Sequence, residues 1–190
     1  MTHKFDVNNK NKLDNPKRRE MLPTNKVLSE IGLKAGDKFA DIGCGIGYFS
    51  VPAAKVIGDE GKVYALDVEP QMIEALEEKI IENNLSNIQT ILSEGFDFKL
   101  ESESSSYAFM CTVLHEIEDK IKMINEAKRI LVKEGKIVII EWVKRESDWG
   151  PPTSHRVDSS EVAELFAECG FHDTTVVELN EHFYICMATK

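Results

Sequence analysis

The amino-acid sequence predicts an α/β fold: a mostly parallel sheet covered by helices on both faces and closed by an antiparallel pair of strands. Three observations lead there. Strand-like and helix-like segments alternate five times, and such alternation requires crossover connections between parallel strands. Residues 137–140, Ile-Val-Ile-Ile, form an unbroken apolar run of the kind found in a strand buried on both faces. The last two strand-like runs flank a turn at Asn180-Glu181 that is too short for a crossover helix, so they pair antiparallel.

Each element has its own local signal. Residues 1–15 show no apolar period and are expected to begin an N-terminal arm, 1–22, with a single domain over 23–190. Pro23 suits the first turn of a helix whose stripe is Val27, Leu28 and Ile31, with Gly32 at its end. Residues 38–42 read as a short buried strand running into a glycine-rich turn. A helix is expected over 48–56, a second strand over 63–66, and then a helix opened by Pro70 with Met72, Ile73, Leu76 and Ile80 on one face. Strands are expected at 88–92 and 107–112. Asp119 caps a helix bearing Ile121, Ile124, Ala127 and Leu131. Ser160 begins another, with Val162, Leu165, Phe166 and Cys169 on one stripe and Gly170 after it; strands at 174–179 and 183–188 follow. The stretches 93–106 and 144–158 carry no assignable element and are expected to be poorly protected loops near the rim of the sheet, candidates for a lid.

Composition narrows the function. The 190 residues are 42% hydrophobic, enough for one core, and the formal net charge of −10 opposes docking on nucleic acid or on an anionic membrane. No apolar run approaches the roughly 18 residues needed to span a bilayer, and the N-terminus has no signal-like apolar stretch. Cys44, Cys111, Cys169 and Cys186 are far apart without CxxC spacing, so no metal site or disulfide framework is indicated and a cytoplasmic setting is expected.

The strongest chemical signal is Asp41-Ile42-Gly43-Cys44-Gly45-Ile46-Gly47 between a predicted strand and a predicted helix. The dinucleotide fingerprint GxGxxG fails in both frames, because Tyr48 and Ser50 stand where glycine is needed. A carboxylate at the strand end also repels a diphosphate and suits a cationic or amine-bearing ligand. Asp67 follows the second strand, about 20 residues past the glycines, where an acid accepts hydrogen bonds from ribose hydroxyls. The two signals together point to a nucleoside-bearing ligand.

These residues resemble those of the class I S-adenosylmethionine-dependent methyltransferases, from Val27 onward. Phe39-Ala-Asp-Ile-Gly-Cys-Gly-Ile-Gly47 is similar to their first motif and Leu66-Asp-Val68 to their ribose motif. Ser93-Glu94-Gly95 sits where many members carry Gly-Asp-Ala, and Val113-Leu-His-Glu-Ile117 resembles the segment after their fourth strand. The likeness is greatest to the compact subgroup of ubiquinone and menaquinone biosynthesis enzymes. It implies a Rossmann-like three-layer sandwich with strand order 3-2-1-4-5-7-6, the last strand antiparallel, and S-adenosylmethionine as cofactor, S-adenosylhomocysteine as product. It implies Asp41 and the Gly43, Cys44, Gly45 and Gly47 backbone around the methionine portion, and Asp67 on the ribose. Val68 and Met72 would lie near the adenine, Glu94, Gly95 and Phe96 at its edge, and the Cys111 carbonyl at the ligand's amino group. Two departures stand out: Glu94 replaces the commoner aspartate, and no clear helix precedes the fourth strand.

Acid–base candidates are His115 and Glu141, both at ends of predicted strands, and His155, in the 144–158 loop beside Arg156. Arg156 is either a receptor for an acidic substrate group or a surface cation. The acceptor is expected to be a small molecule, since no appended recognition domain is visible. The competing readings are a nicotinamide-dependent oxidoreductase, which should carry GxGxxG, and a cofactor-binding subunit without catalysis.

Overall fold

A computed structural model of the chain describes residues 13–190. The strands are β1 (Lys38–Ile42), β2 (Lys62–Asp67), β3 (Ile88–Leu92), β4 (Ser105–Cys111), β5 (Leu131–Trp142), β6 (His172–Glu178) and β7 (Phe183–Thr189). The helices are α1 (Pro16–Met21), α2 (Thr24–Glu30), α3 (Ser50–Ile57), α4 (Pro70–Glu82), α5 (Lys120–Ile130) and α6 (Ser159–Glu168). All seven strands form one sheet in the order β3-β2-β1-β4-β5-β7-β6. β1 to β5 are parallel, and β7 pairs antiparallel with both β5 and β6, which is the order and polarity expected.

The pleat of the central strands distributes side chains between two cores. Phe39, Phe109, Val138 and Ile140 face one side, with α2, α3 and Leu76 of α4. Ala40, Ala108, Met110, Ile137 and Ile139 face the other, with α5 and α6. This period-two alternation, both positions apolar, is what a sheet covered on both faces demands. Caps set the helix starts: Asp119 accepts from Lys122 N at 2.9 Å and Asp158 from Ser160 N at 3.0 Å.

The N-terminal region departs from expectation. Residues 1–12 lie outside the described residues, but Pro16–Met21 is a helix and Leu22 is fully buried. Asn15 caps it by accepting from Arg18 N at 2.9 Å, Pro16 occupies the first turn, and Asn180 Nδ2 donates to Met21 O at 2.6 Å. Residues 16–22 are therefore part of the packed structure.

The two unassigned stretches are also pinned. In 93–104, Phe98 is buried in the second core, its N–H donates to Glu126 Oε1, and Glu103 N and Ser104 N donate to carbonyls at the end of α5. An apolar anchor, without a helix before β4, closes that face. In 144–158, Arg156 is 3% exposed. Its Nε donates to Pro151 O, its Nη1 to Val143 O and Arg145 O, and its Nη2 to Trp149 O and Ser147 Oγ, all at 2.8–3.0 Å. All five guanidinium donors are engaged, so Arg156 is neither a substrate receptor nor a surface cation; it holds the loop in shape.

Replacing Arg156 with Met leaves these acceptors unsatisfied, and stability in urea is expected to fall by about 2–4 kcal/mol. Lysine, with three donors and no planar fork, should not restore it. Unchanged stability and unchanged hydrogen exchange over 143–151 would show that the loop keeps its shape without the clamp.

Candidate functional site

The carboxyl ends of β1, β2, β4 and β5 converge on one rim, the edge at which parallel α/β sheets bind ligands. The loop after β1 turns through three left-handed glycines, with φ of +71° at Gly43, +52° at Gly45 and +78° at Gly47. They serve different ends. A Cβ on Gly43 would meet Val113 Cγ2 at 2.5 Å, and one on Gly47 would meet Leu76 Cδ1 at 2.3 Å, so these two let the loop pack against its neighbours. At Gly45 the nearest atom would be the flexible tip of Leu13, at 3.1 Å, so this is the face a ligand could approach.

The amides of the loop are largely turned inward. Gly43 N and Cys44 N donate to Leu66 O, Gly47 N to Cys44 O, and Gly45 N to Asp67 Oδ2 at 2.9 Å. A diphosphate needs a row of amides pointing at it, and these four point elsewhere. The other Asp67 oxygen accepts from Glu69 N at 3.0 Å, so Asp67 braces both β2 and the glycine loop.

The electrostatics of this corner suit a cation. Asp41, 3% exposed, accepts from Ser50 Oγ at 2.5 Å, and burial pushes its carboxyl up to about 7. Ser50 pulls it down, and Asp67 adds to the rise. Burial also raises Asp67, opposed by the amides of Glu69, Gly45 and Val68. Cys44 and Cys111 are buried; desolvation pushes the Cys111 thiol up to about 12, Arg18 lowers it, and Glu141 and Asp41 raise it. Among the positions expected at the adenine, Val68 is exposed at the rim and Met72 is buried on α4. Glu94 is exposed and paired with Lys99, Gly95 has φ of +58°, and Phe96 lies under the Lys122 ammonium at 4.6 Å.

At the ends of β4 and β5, two of the acid–base candidates meet. Glu141 has 0% exposure, and His115 Nδ1 lies 3.0 Å and 2.9 Å from its two carboxylate oxygens. Glu141 also accepts from His115 N at 3.1 Å and Trp142 N at 3.2 Å. Since a carboxylate only accepts, Nδ1 carries the proton and Nε2 the lone pair of the neutral ring. Burial pulls the imidazole pKa down, yet the hydrogen bond and charge of Glu141, with Glu116, outweigh it and the net shift is upward from 6.5. The geometry brings the ring there because Thr112, at φ +58°, bends the chain off β4 into the 3-10 turn Leu114–Glu116. His155 is exposed, and it lines with His115, Lys120 and Lys144 a cleft of about 560 Å³.

Sequence reasoning missed Arg18 and Tyr48. Arg18, on α1, is 7% exposed, with Nη2 at 3.6 Å from Cys111 Sγ and its guanidinium 5.2 Å from the Tyr48 ring. Tyr48 Oη donates to Arg18 O at 3.3 Å and Leu22 O at 2.7 Å, fastening α1 over the rim. The Asn15-Pro16 pair, a cap residue followed by a first-turn proline, was the available signal.

Strand order, glycine turn and paired acids together define an S-adenosylmethionine-dependent methyltransferase fold. The chain belongs to the methyltransferase domain family, whose profile matches residues 33–184. It is similar to a SAM-dependent methyltransferase from Aquifex aeolicus, with 33% identity, a TM-score of 0.93, and coverage of 98% of this chain and 99% of that one. Demethylmenaquinone methyltransferase of Geobacillus sp. (strain WCH70) is 24% identical over 124 residues, which is 65% of this chain and 53% of that protein. The chain spans about half the length of the curated relatives it matches. Phosphoethanolamine N-methyltransferase 2 of Haemonchus contortus, solved with S-adenosyl-L-methionine, shares the fold at 16% identity and a TM-score of 0.76, over 88% of this chain and 52% of that one.

Because the folded pKa of His115 is raised, its contribution to stability is present in full below about pH 6.5 and is lost as pH rises through the folded value. Glu141→Gln removes the carboxylate and leaves burial, so the His115 pKa read by NMR should fall below that of the parent and this pH dependence should disappear or reverse. An unshifted pKa would mean that Glu141 does not act on the ring.

Proposed function

We propose that this chain transfers a methyl group from S-adenosylmethionine to a small-molecule acceptor, with His115 as the base. The observation that carries the reading is the Gly43–Gly47 turn braced by Asp67: an approachable face at Gly45, carboxylates at both strand ends, and amides turned away from any diphosphate. The same features disfavour a nicotinamide dinucleotide. When bound, S-adenosylmethionine supplies an electrophilic methyl group on its sulfonium. In this reading Asp41 and the 43–47 backbone hold the methionine portion, with the Cys111 carbonyl at its amino group. Asp67 exchanges part of its backbone bonding for the ribose hydroxyls. Val68, Met72, Glu94, Gly95 and Phe96 border the adenine, with Glu94 first released from Lys99.

His115 Nε2 takes a proton from the acceptor while Glu141, bonded to Nδ1, orients the ring and stabilises the imidazolium. A base matters for acceptors with an acidic O–H or C–H, such as phenols and quinols, the class suggested by the demethylmenaquinone methyltransferase relatives. His155 lines the same cleft as His115, where the acceptor would enter. We place the chain in a reducing cytoplasm, since its four cysteines are free and buried and no helix among the described residues is long and apolar enough to cross a membrane.

Asp67→Ala is expected to weaken S-adenosylhomocysteine binding by about 1.5–3 kcal/mol in calorimetry, and also to lower stability through the lost bonds to Gly45 N and Glu69 N. Asp41, at about 7, is part protonated in neutral solution. A ligand ammonium beside it should release that proton, seen as a buffer-dependent binding enthalpy that Asp41→Asn abolishes. A screen of quinols, phenols, amines and thiols, read as S-adenosylhomocysteine produced, tests turnover. Tight NADH binding with none for S-adenosylhomocysteine would overturn the reading.

A further inference from the structure

Arg18 is a buried cation whose bonding is incomplete. Its Nε is buried without a hydrogen-bond partner, and its Nη2 has only the weak acceptor Cys111 Sγ at 3.6 Å. Among the described residues it forms no ion pair. Asp14, close enough to feel its charge, is committed to Arg19 at 2.6 Å and 3.1 Å. Taking a guanidinium out of water is costly unless an anion compensates it.

Helix α1 has anchors besides the guanidinium. The helix is docked by buried Leu22, by Tyr48 Oη on two of its carbonyls, by Asn180 on Met21 O, and by Lys17 over the Trp149 ring at 4.6 Å. These contacts hold Arg18 between the end of β4 and the glycine loop, where Leu13 of the same segment reaches Gly45. Three buried carboxylates, Asp41, Asp67 and Glu141, lie along this rim with the neutral thiols of Cys44 and Cys111, and Arg18 and Asp41 both act on the Cys111 thiol. A ligand there meets negative charge on one side and an unsatisfied, preorganised cation on the other.

We infer that Arg18 is the receptor for a carboxylate carried by the ligand bound at this rim. Two sources share that chemistry. One is the amino-acid end of S-adenosylmethionine, whose zwitterion matches a cation and an acid on either side; this source rests on the methyl-transfer reading. The other is an acidic acceptor.

Calorimetry on the full chain separates them, with wild type, Arg18→Met and Arg18→Lys, and with S-adenosylhomocysteine, its decarboxylated analogue and benzoate as probes. With the cofactor as source, the decarboxylated analogue binds wild type about tenfold or more weaker than S-adenosylhomocysteine; Arg18→Met binds the two alike, and Arg18→Lys restores part of the difference. With the acceptor as source, wild type and Arg18→Met discriminate the two equally, but benzoate binds the S-adenosylhomocysteine-loaded wild type and not loaded Arg18→Met. If no probe distinguishes wild type from Arg18→Met, the inference is wrong. Failure of wild type to bind S-adenosylhomocysteine sinks the methyl-transfer reading instead, and benzoate binding to the unloaded proteins then decides Arg18 alone. Melting temperatures of the free proteins supply a control. A receptor role leaves Arg18→Met as stable as wild type or more so, whereas a packing role lowers its melting temperature and leaves every probe ratio unchanged.

Discussion

The Asp67 carboxylate ties together the two elements that any ligand at this rim must touch. One oxygen accepts from the backbone of Gly45 and the other from Glu69, so the end of β2 and the glycine turn after β1 move as one piece. This is possible because Gly43 and Gly47 have no side chains; with a Cβ at either, Val113 or Leu76 would push the turn away from its place. The glycines therefore shape the loop from behind, and Asp67 fixes it from the side. The surface left to a ligand is narrow, and it is bordered by carboxylates whose burial raises their proton affinity. A site of this kind is primed for a partner that brings positive charge.

Most of the fold was legible in the chain. β1 and β3 run where the strand pattern indicates and α4 opens at Pro70, because each of these boundaries has a local chemical cause. The resemblance supplied the strand order, which local pattern alone does not encode. What escaped were segments held by long-range contacts. α1 is only six residues long, too short for a periodic stripe, and Tyr48 and Asn180, distant in sequence, fasten it. Phe98 alternates with Phe96 and Leu100 across Asp97 and Lys99 in a stretch with no assigned element, and its role as an anchor emerges only when the second core closes around it.

The site was legible in part for the same reason. Glycine spacing and strand-end acids are local marks, and they led to the Asp41–Asp67 corner. The pairing of His115 with Glu141 depends on the register of β4 against β5, which sets Cys111 beside Ile140 and so brings the following turn over Glu141. Sequence named both residues without joining them. Arg156 shows the opposite failure: its neighbourhood looked like an open loop, and the loop's own carbonyl groups take up its donors.

That last arrangement bears on how such a protein can change over time. Four of the five acceptors on Arg156 are main-chain carbonyls, a group every amino acid possesses. The path of residues 143–151 is thus set largely by backbone atoms and one guanidinium, with Trp149 packed on Trp142 and Phe183, and Gly150 close against Trp142, as its fixed side-chain points. Lys144, Arg145, Glu146 and Asp148, all exposed, can be exchanged without redrawing that path. A lineage retaining the arginine could vary the wall of the neighbouring cleft, and with it the range of molecules admitted, while its scaffold stays still.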